Sequence, residues 1–106
     1  MIISQGDQYG ILIGAELEGQ EGQPIDPTLF SNVEIVIGNI RKDMNSGIVY
    51  SESEKGWIFP ITQKETIKLA ASQQPAQIRF KFTSGDVQRV PLGMIDVEES
   101  KSKVVL

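Results

Sequence analysis

Residues 76–86 read AQIRFKFTSGD, and the pattern within them decides the fold class. Ile78, Phe80 and Phe82 alternate with Arg79, Lys81 and Thr83, so in an extended chain the apolar side chains share one face and the polar ones the other. That is a half-buried strand. Ser84-Gly85-Asp86 then supplies a tight turn in which Gly85 takes a positive φ at little steric cost, and the chain from Val87 returns as the second arm of a hairpin. The apolar face of this hairpin needs further strands to cover it.

Working outward, Tyr9 to Glu18 reads as a long strand with Tyr9, Ile11, Ile13, Ala15 and Leu17 on a core face. Leu12 falls on the opposite face beside Gly14, which points to cover by a chain end or another subunit; the alternative is a lone exposed leucine. Gly19 to Pro27 combines glycines and prolines into a loop pinned by Ile25, Leu29 and Phe30, with Asp26 capping a single helical turn at Pro27-Thr28. Val33 to Ile40 reads as one unbroken central strand, partly apolar on both faces, and Arg41 to Gly47 as a polar turn. Ile48 to Tyr50 and Trp57 to Phe59 flank a hairpin loop at Ser51 to Gly56, the return arm ending at Pro60, which cannot donate to a ladder. Thr62 and Glu65 have the spacing of a helix capping box, good for one turn, after which Thr66 to Leu69 alternates like a strand and Ala70 to Pro75 forms a loop. Past the central hairpin, Pro91-Leu92-Gly93 predicts a bend or bulge before Met94 to Glu98 resumes the strand. Val104, Val105 and Leu106 form an apolar tail, either buried at home or inserted into a partner. Seven strands with regular turn signals and no long helical period predict one all-β domain over residues 1–106, an immunoglobulin-like two-sheet β-sandwich with Trp57 or Phe80 at its centre. A small closed β-barrel is the second choice.

Composition narrows the chemistry. The chain's 106 residues suffice for one core, and no apolar run approaches the roughly 20 residues a membrane helix needs, so the expectation is a soluble chain without a membrane partner. Met1-Ile2-Ile3-Ser4 lacks the cationic and apolar regions of a signal peptide, which makes an intracellular origin the default. Without cysteine or histidine there are no disulfides, no thiolate or imidazole metal ligands, and no Ser-His-Asp or Cys-His machinery. A net charge of −4 disfavours nucleic acid. The acid pairs Glu16/Glu18, Glu52/Glu54 and Asp96/Glu98 would each project to one face of a strand, where a solvated surface is the simpler reading than catalysis. Loop acids are too scattered for a recognisable calcium loop. Gly6, Gly10 and Gly14 precede a strand rather than a helix, so they cradle no phosphate. Tyr50 and Trp57, near Phe59, either pack in the core or form a platform for a carbohydrate or other ligand. No cofactor, metal or catalytic residue is predicted.

Three stretches resemble a known group: residues 57–66 (WIFPITQKET), residues 77–82 (QIRFKF) with Gly85-Asp86-Val87, and residues 102–106 (SKVVL), joined by Gly6-Asp7 and the first strand. Together they resemble small proteins encoded among the structural genes of phages and prophages of Firmicutes. The resemblance implies an immunoglobulin-like sandwich of the tail or baseplate region, located in the virion or the bacterial cytoplasm. It implies assembly with other phage structural proteins or with itself, as a homo-oligomer, and no cofactor. It carries over no active site, and the loop at Gly19 to Pro27 bears no signature of the group.

Overall fold

In the computed structural model, which describes residues 1–17, 19–20, 22 and 25–106, two sheets face each other across one apolar core. Eight strands form them: β1 (Ile2–Ser4), β2 (Tyr9–Ile13), β3 (Phe30–Ile37), β4 (Ile40–Asp43), β5 (Val49–Ser51), β6 (Gly56–Ile61), β7 (Gln73–Phe82) and β8 (Val87–Glu98). A one-turn helix, α1 (Gln63–Ile67), links β6 to β7. The five-stranded sheet has the order β1-β8-β7-β3-β4 and the three-stranded sheet the order β2-β6-β5. In immunoglobulin lettering the small sheet is B-E-D, and β8-β7-β3-β4 is G-F-C-C′. The fold is therefore an all-β, immunoglobulin-like sandwich. Because β1 pairs in parallel with β8, no strand among the described residues covers the outer edge of β2.

The central hairpin has the register its sequence dictates. Ile78 lies opposite Ile35 and Phe80 opposite Val33, all fully buried, while Arg79 and Lys81 point outward. Phe82 N–H donates to the Asp86 carbonyl at 2.8 Å and Gly85 has φ 98°, which closes the turn. Phe30, Trp57 and Phe80 meet at the centre, with ring centroids 4.7 Å apart for Phe30–Phe80 and 6.1 Å for Phe30–Trp57. Trp57 thus fills the core from β6, opposite the sheet that carries the core tryptophan in antibody domains.

Several expectations change. Residues 2–4 form a strand that had no local signal, because Ile3 gains its burial only from a parallel pairing with β8. The first long strand stops at Ile13, although Leu17 stays buried; Glu18, Glu21, Gln23 and Pro24 lie outside the described residues. The strand predicted to run unbroken to Ile40 turns at Gly38 (φ 58°) and Asn39, so that Ile40 lies opposite Ile37 and β4 occupies part of the expected polar turn. Pro60 lies within β6: β5 pairs only as far as Ile58, so the missing N–H falls where the ladder has already ended, and the Pro60 carbonyl accepts from Lys42 Nζ at 2.6 Å. Residues 66–69 close α1 rather than form a strand, and β7 begins at Gln73, within the expected loop. The predicted bulge is present, Ala76 pairing with Gly93 and Gln77 with Pro91 so that Leu92 is the extra residue.

Local chemistry fixes the corner between the layers. Thr62 Oγ1 accepts from Glu65 N–H at 3.3 Å, and Glu65 Oε1 accepts from Thr62 N–H at 3.0 Å, completing the capping box. Lys42 Nζ, reaching inward from β4, donates to the same Glu65 oxygen at 2.9 Å and so ties the five-stranded sheet to α1. Burial raises the Glu65 pKa, but the Lys42 and Thr62 hydrogen bonds outweigh it and hold the carboxyl below its usual range. Thr66, fully buried, donates to the Asp7 carbonyl at 2.9 Å and accepts from Gly6 N–H at 3.0 Å, which anchors α1 to the β1–β2 turn. Asp26 caps a 3₁₀ turn at Pro27–Leu29, accepting from Thr28 N–H at 3.0 Å.

Candidate functional site: two sheet faces

Alternation along β2, β6 and β5 sends Ile11, Ile13, Trp57, Phe59 and Tyr50 inward and leaves seven positions facing out. Registers align them in three rows across the strands: Gly10–Pro60, Leu12–Ile58–Val49, and Gly56–Ser51. None is charged. A half-solvated antiparallel sheet normally carries polar groups on its outer face, whereas here Leu12 is 42% and Val49 56% exposed with Ile58 half-buried between them. Glycines let these side chains lie flat: a Cβ on Gly10 would come within 3.0 Å of Ile58 Cγ2, and one on Gly56 within 2.6 Å of Leu12 Cδ1. The result is a smooth apolar surface bordered by the uncovered edge of β2.

Leu12, the residue singled out from sequence, is thus one member of a cross-strand row. Val49 and Ile58 could not be assigned to it beforehand, because only the pairing of two other strands places them there. The recurrence of glycine beside apolar residues, at Gly10 and Gly56, was the available signal.

Val104, Val105 and Leu106 are exposed, Leu106 wholly so. Polar contacts hold the segment: Leu106 N–H donates to Gln63 Oε1 at 2.6 Å, Ser100 N–H donates to Gln5 Oε1 at 3.2 Å, and Lys103 Nζ donates to the same Gln5 oxygen. These anchors place the tail beside α1 with its apolar side chains in solvent.

Trp57 is 1% exposed and meets Tyr50 edge-on at 4.9 Å, so its indole face is packed into the core and is not open to stack on a sugar. Of the two readings the sequence left open for Tyr50 and Trp57, the Trp57 ring takes the core one. An open hollow of about 910 Å³ adjoins it, with Ala15, Ile25, Tyr50, Trp57, Val90 and Leu92 among its lining. Trp57 Nε1 has no acceptor among the described residues.

Apart from the inward-reaching Lys42, the five-stranded sheet carries its charge outside. Glu34, 7% exposed, accepts from Arg79 Nε at 2.6 Å through Oε1 and from Arg41 Nε through Oε2. The Arg79 hydrogen bond, reinforced by Arg41 against the effect of burial, holds its carboxyl below the ordinary range. Glu52 and Glu54 are exposed on the β5–β6 hairpin, and Asp96 and Glu98 both point outward from β8. No group of three or more His, Cys, Asp or Glu side chains suited to a metal ion occurs among the described residues. No helix among them is long and apolar enough to cross a membrane.

The fold and these surfaces define a β-sandwich whose distinctive chemistry lies on its two outer faces. Neither a protein-family model, nor a curated protein, nor a solved structure matches the chain.

Proposed function

We propose that this chain is a non-enzymatic assembly module, a structural part of a phage or prophage tail or baseplate region, held in place by protein–protein contacts. The observation that carries the reading is the uncharged outer face of the three-stranded sheet, where Leu12, Ile58 and Val49 form one row. Apolar groups contiguous on a surface are stabilised by being covered, at roughly 25 cal/mol per Å² removed from water. The partner is an apolar surface of a neighbouring structural protein, in the virion or in the bacterial cytoplasm before assembly. The open edge of β2 can extend the contact by strand pairing, and the Val104–Leu106 tail adds three exposed apolar side chains.

The test is co-expression with the products of the genes beside its own, comparing the native chain with Leu12→Glu/Val49→Glu. Both positions are exposed, so the double variant should melt like the native protein. The native chain should co-migrate with a neighbouring product and enhance the fluorescence of a hydrophobic dye, and the variant should do neither. Co-migration unchanged in the variant would refute this face as the contact.

A second reading, a carbohydrate- or other ligand-binding module, is favoured by the hollow beside Trp57 and by an Nε1 that has no acceptor among the described residues. It predicts that a ligand shifts the emission of Trp57, the only tryptophan. The assembly reading predicts blue emission indifferent to glycans.

A further inference from the structure

We propose that the outer face of the five-stranded sheet is a two-fold docking surface for a second copy of this chain, stacked antiparallel on β8. The outward residues of β8, in order, are Val87, Arg89, Pro91, Met94, Asp96 and Glu98, with the bulge at Leu92 and Gly93 between the third and fourth. Charge is therefore segregated along one strand: basic at one end, apolar in the middle, acidic at the other.

Neighbouring strands deepen the pattern. Arg89 lies directly opposite Arg79, and Val87 opposite Lys81, whereas Asp96 lies opposite Gln73 on one side and Ile2 on the other. Directly opposed like charges weaken a sheet, and among the described residues only Arg79 of the two has a carboxylate, Glu34, to offset the repulsion. The partner of Arg89 is the Gln77 side-chain oxygen at 3.2 Å. Among the described residues, Arg89, Lys81, Asp96 and Glu98 take part in no ion pair. Exposed Met94, Pro91 and Pro75 occupy the middle of the face.

An interface with two-fold symmetry must be complementary to itself. Place the axis between two stacked sheets, across the strands and level with the Leu92–Gly93 bulge. Pro91 then lies over Met94 of the second copy, Arg89 over its Asp96, and the Val87–Lys81 row over its Glu98. Arg89 and Asp96 are about 20 Å apart along the strand at roughly 3.4 Å per residue, so each attraction is well separated from its symmetry mate. Parallel stacking would set Arg89 on Arg89 and is disfavoured by the same charges. Each charged contact occurs twice, so one substitution removes two. This surface is on the sheet opposite to the Leu12 row and stands independently of it.

The experiment is sedimentation of the full chain over a range of concentration and salt, with Arg89→Asp, Asp96→Arg and the double swap. The native chain should dimerise at low salt, and its dimer should weaken as salt screens the pairs. Each single reversal should weaken dimerisation by at least about tenfold, equivalent to about 1.4 kcal/mol, and the double swap should restore it. Leu12→Glu should leave this dimer intact, which separates its failure from that of the assembly face. A native chain that stays monomeric, whether or not it retains a polyanion such as a short DNA duplex, overturns the proposal. So does a dimer that survives the single reversals, or a natively folded double swap that remains monomeric.

Discussion

Glu34 is the residue on which the outer charge of the large sheet depends, because its single carboxylate engages both Arg41 and Arg79. Its folded pKa is held below the ordinary carboxylate value, so the unfolded chain takes up the proton first as the pH drops. The stability it contributes is complete above the ordinary carboxylate range and is lost as pH falls through the lowered folded value. Urea midpoints should therefore fall between pH 6 and pH 3 in the native chain, and Glu34→Gln should shrink that fall while lowering the midpoint at pH 6. In the core, Phe80→Ala should cost about 3–5 kcal/mol by the usual scale for buried aromatics, since its ring is fully buried against Phe30. A chemical denaturation curve measures that loss directly. At this scale the sequence was readable where a side chain's face follows from alternation, as at Phe80. It was not readable at Glu34, whose burial results from arginines on two other strands.

Elements with local signals formed where those signals stand. The hairpin at Gly85, the capping box at Thr62 and Glu65, the Asp26 cap and the bulge before Met94 each rest on residues within a few positions of one another. Elements defined by distant partners were missed. The β1 strand depends on β8, and β4 lies beyond a Gly38-Asn39 turn hidden inside a continuous apolar run. Residues 66–69 misled because apolar Ile67 and Leu69 alternate with polar Thr66 and Lys68 as in a strand, whereas the two members that are buried, Thr66 and Leu69, are spaced three apart, as a helical turn places them on one face. Thr62→Ala should destabilise the chain by about 1 kcal/mol through the lost cap. Because Glu65 also receives Lys42 and so links α1 to the large sheet, the same substitution should raise amide exchange along α1 and at Lys42 together.

For the molecule as a whole, the sandwich was legible from strand count and turn spacing, and the proposed contact surfaces were not. Leu12 announced one apolar position, but the row it belongs to exists only after β2, β6 and β5 are set in register. The tail was legible as apolar, yet its tethering to Gln5 and Gln63 crosses most of the chain. Removing Val104–Leu106 should leave the melting temperature nearly unchanged, since those side chains are exposed, while weakening partner capture. Exposed Leu12 and Val49 are also the side chains whose chemistry reports contact most directly. Hydroxyl-radical footprinting of the isolated chain and of its complex with a neighbouring structural protein should show Leu12, Ile58 and Val49 reactive alone and protected when bound. If those three remain reactive in the complex while residues around the Tyr50 hollow become protected, the sheet face is not the assembly surface.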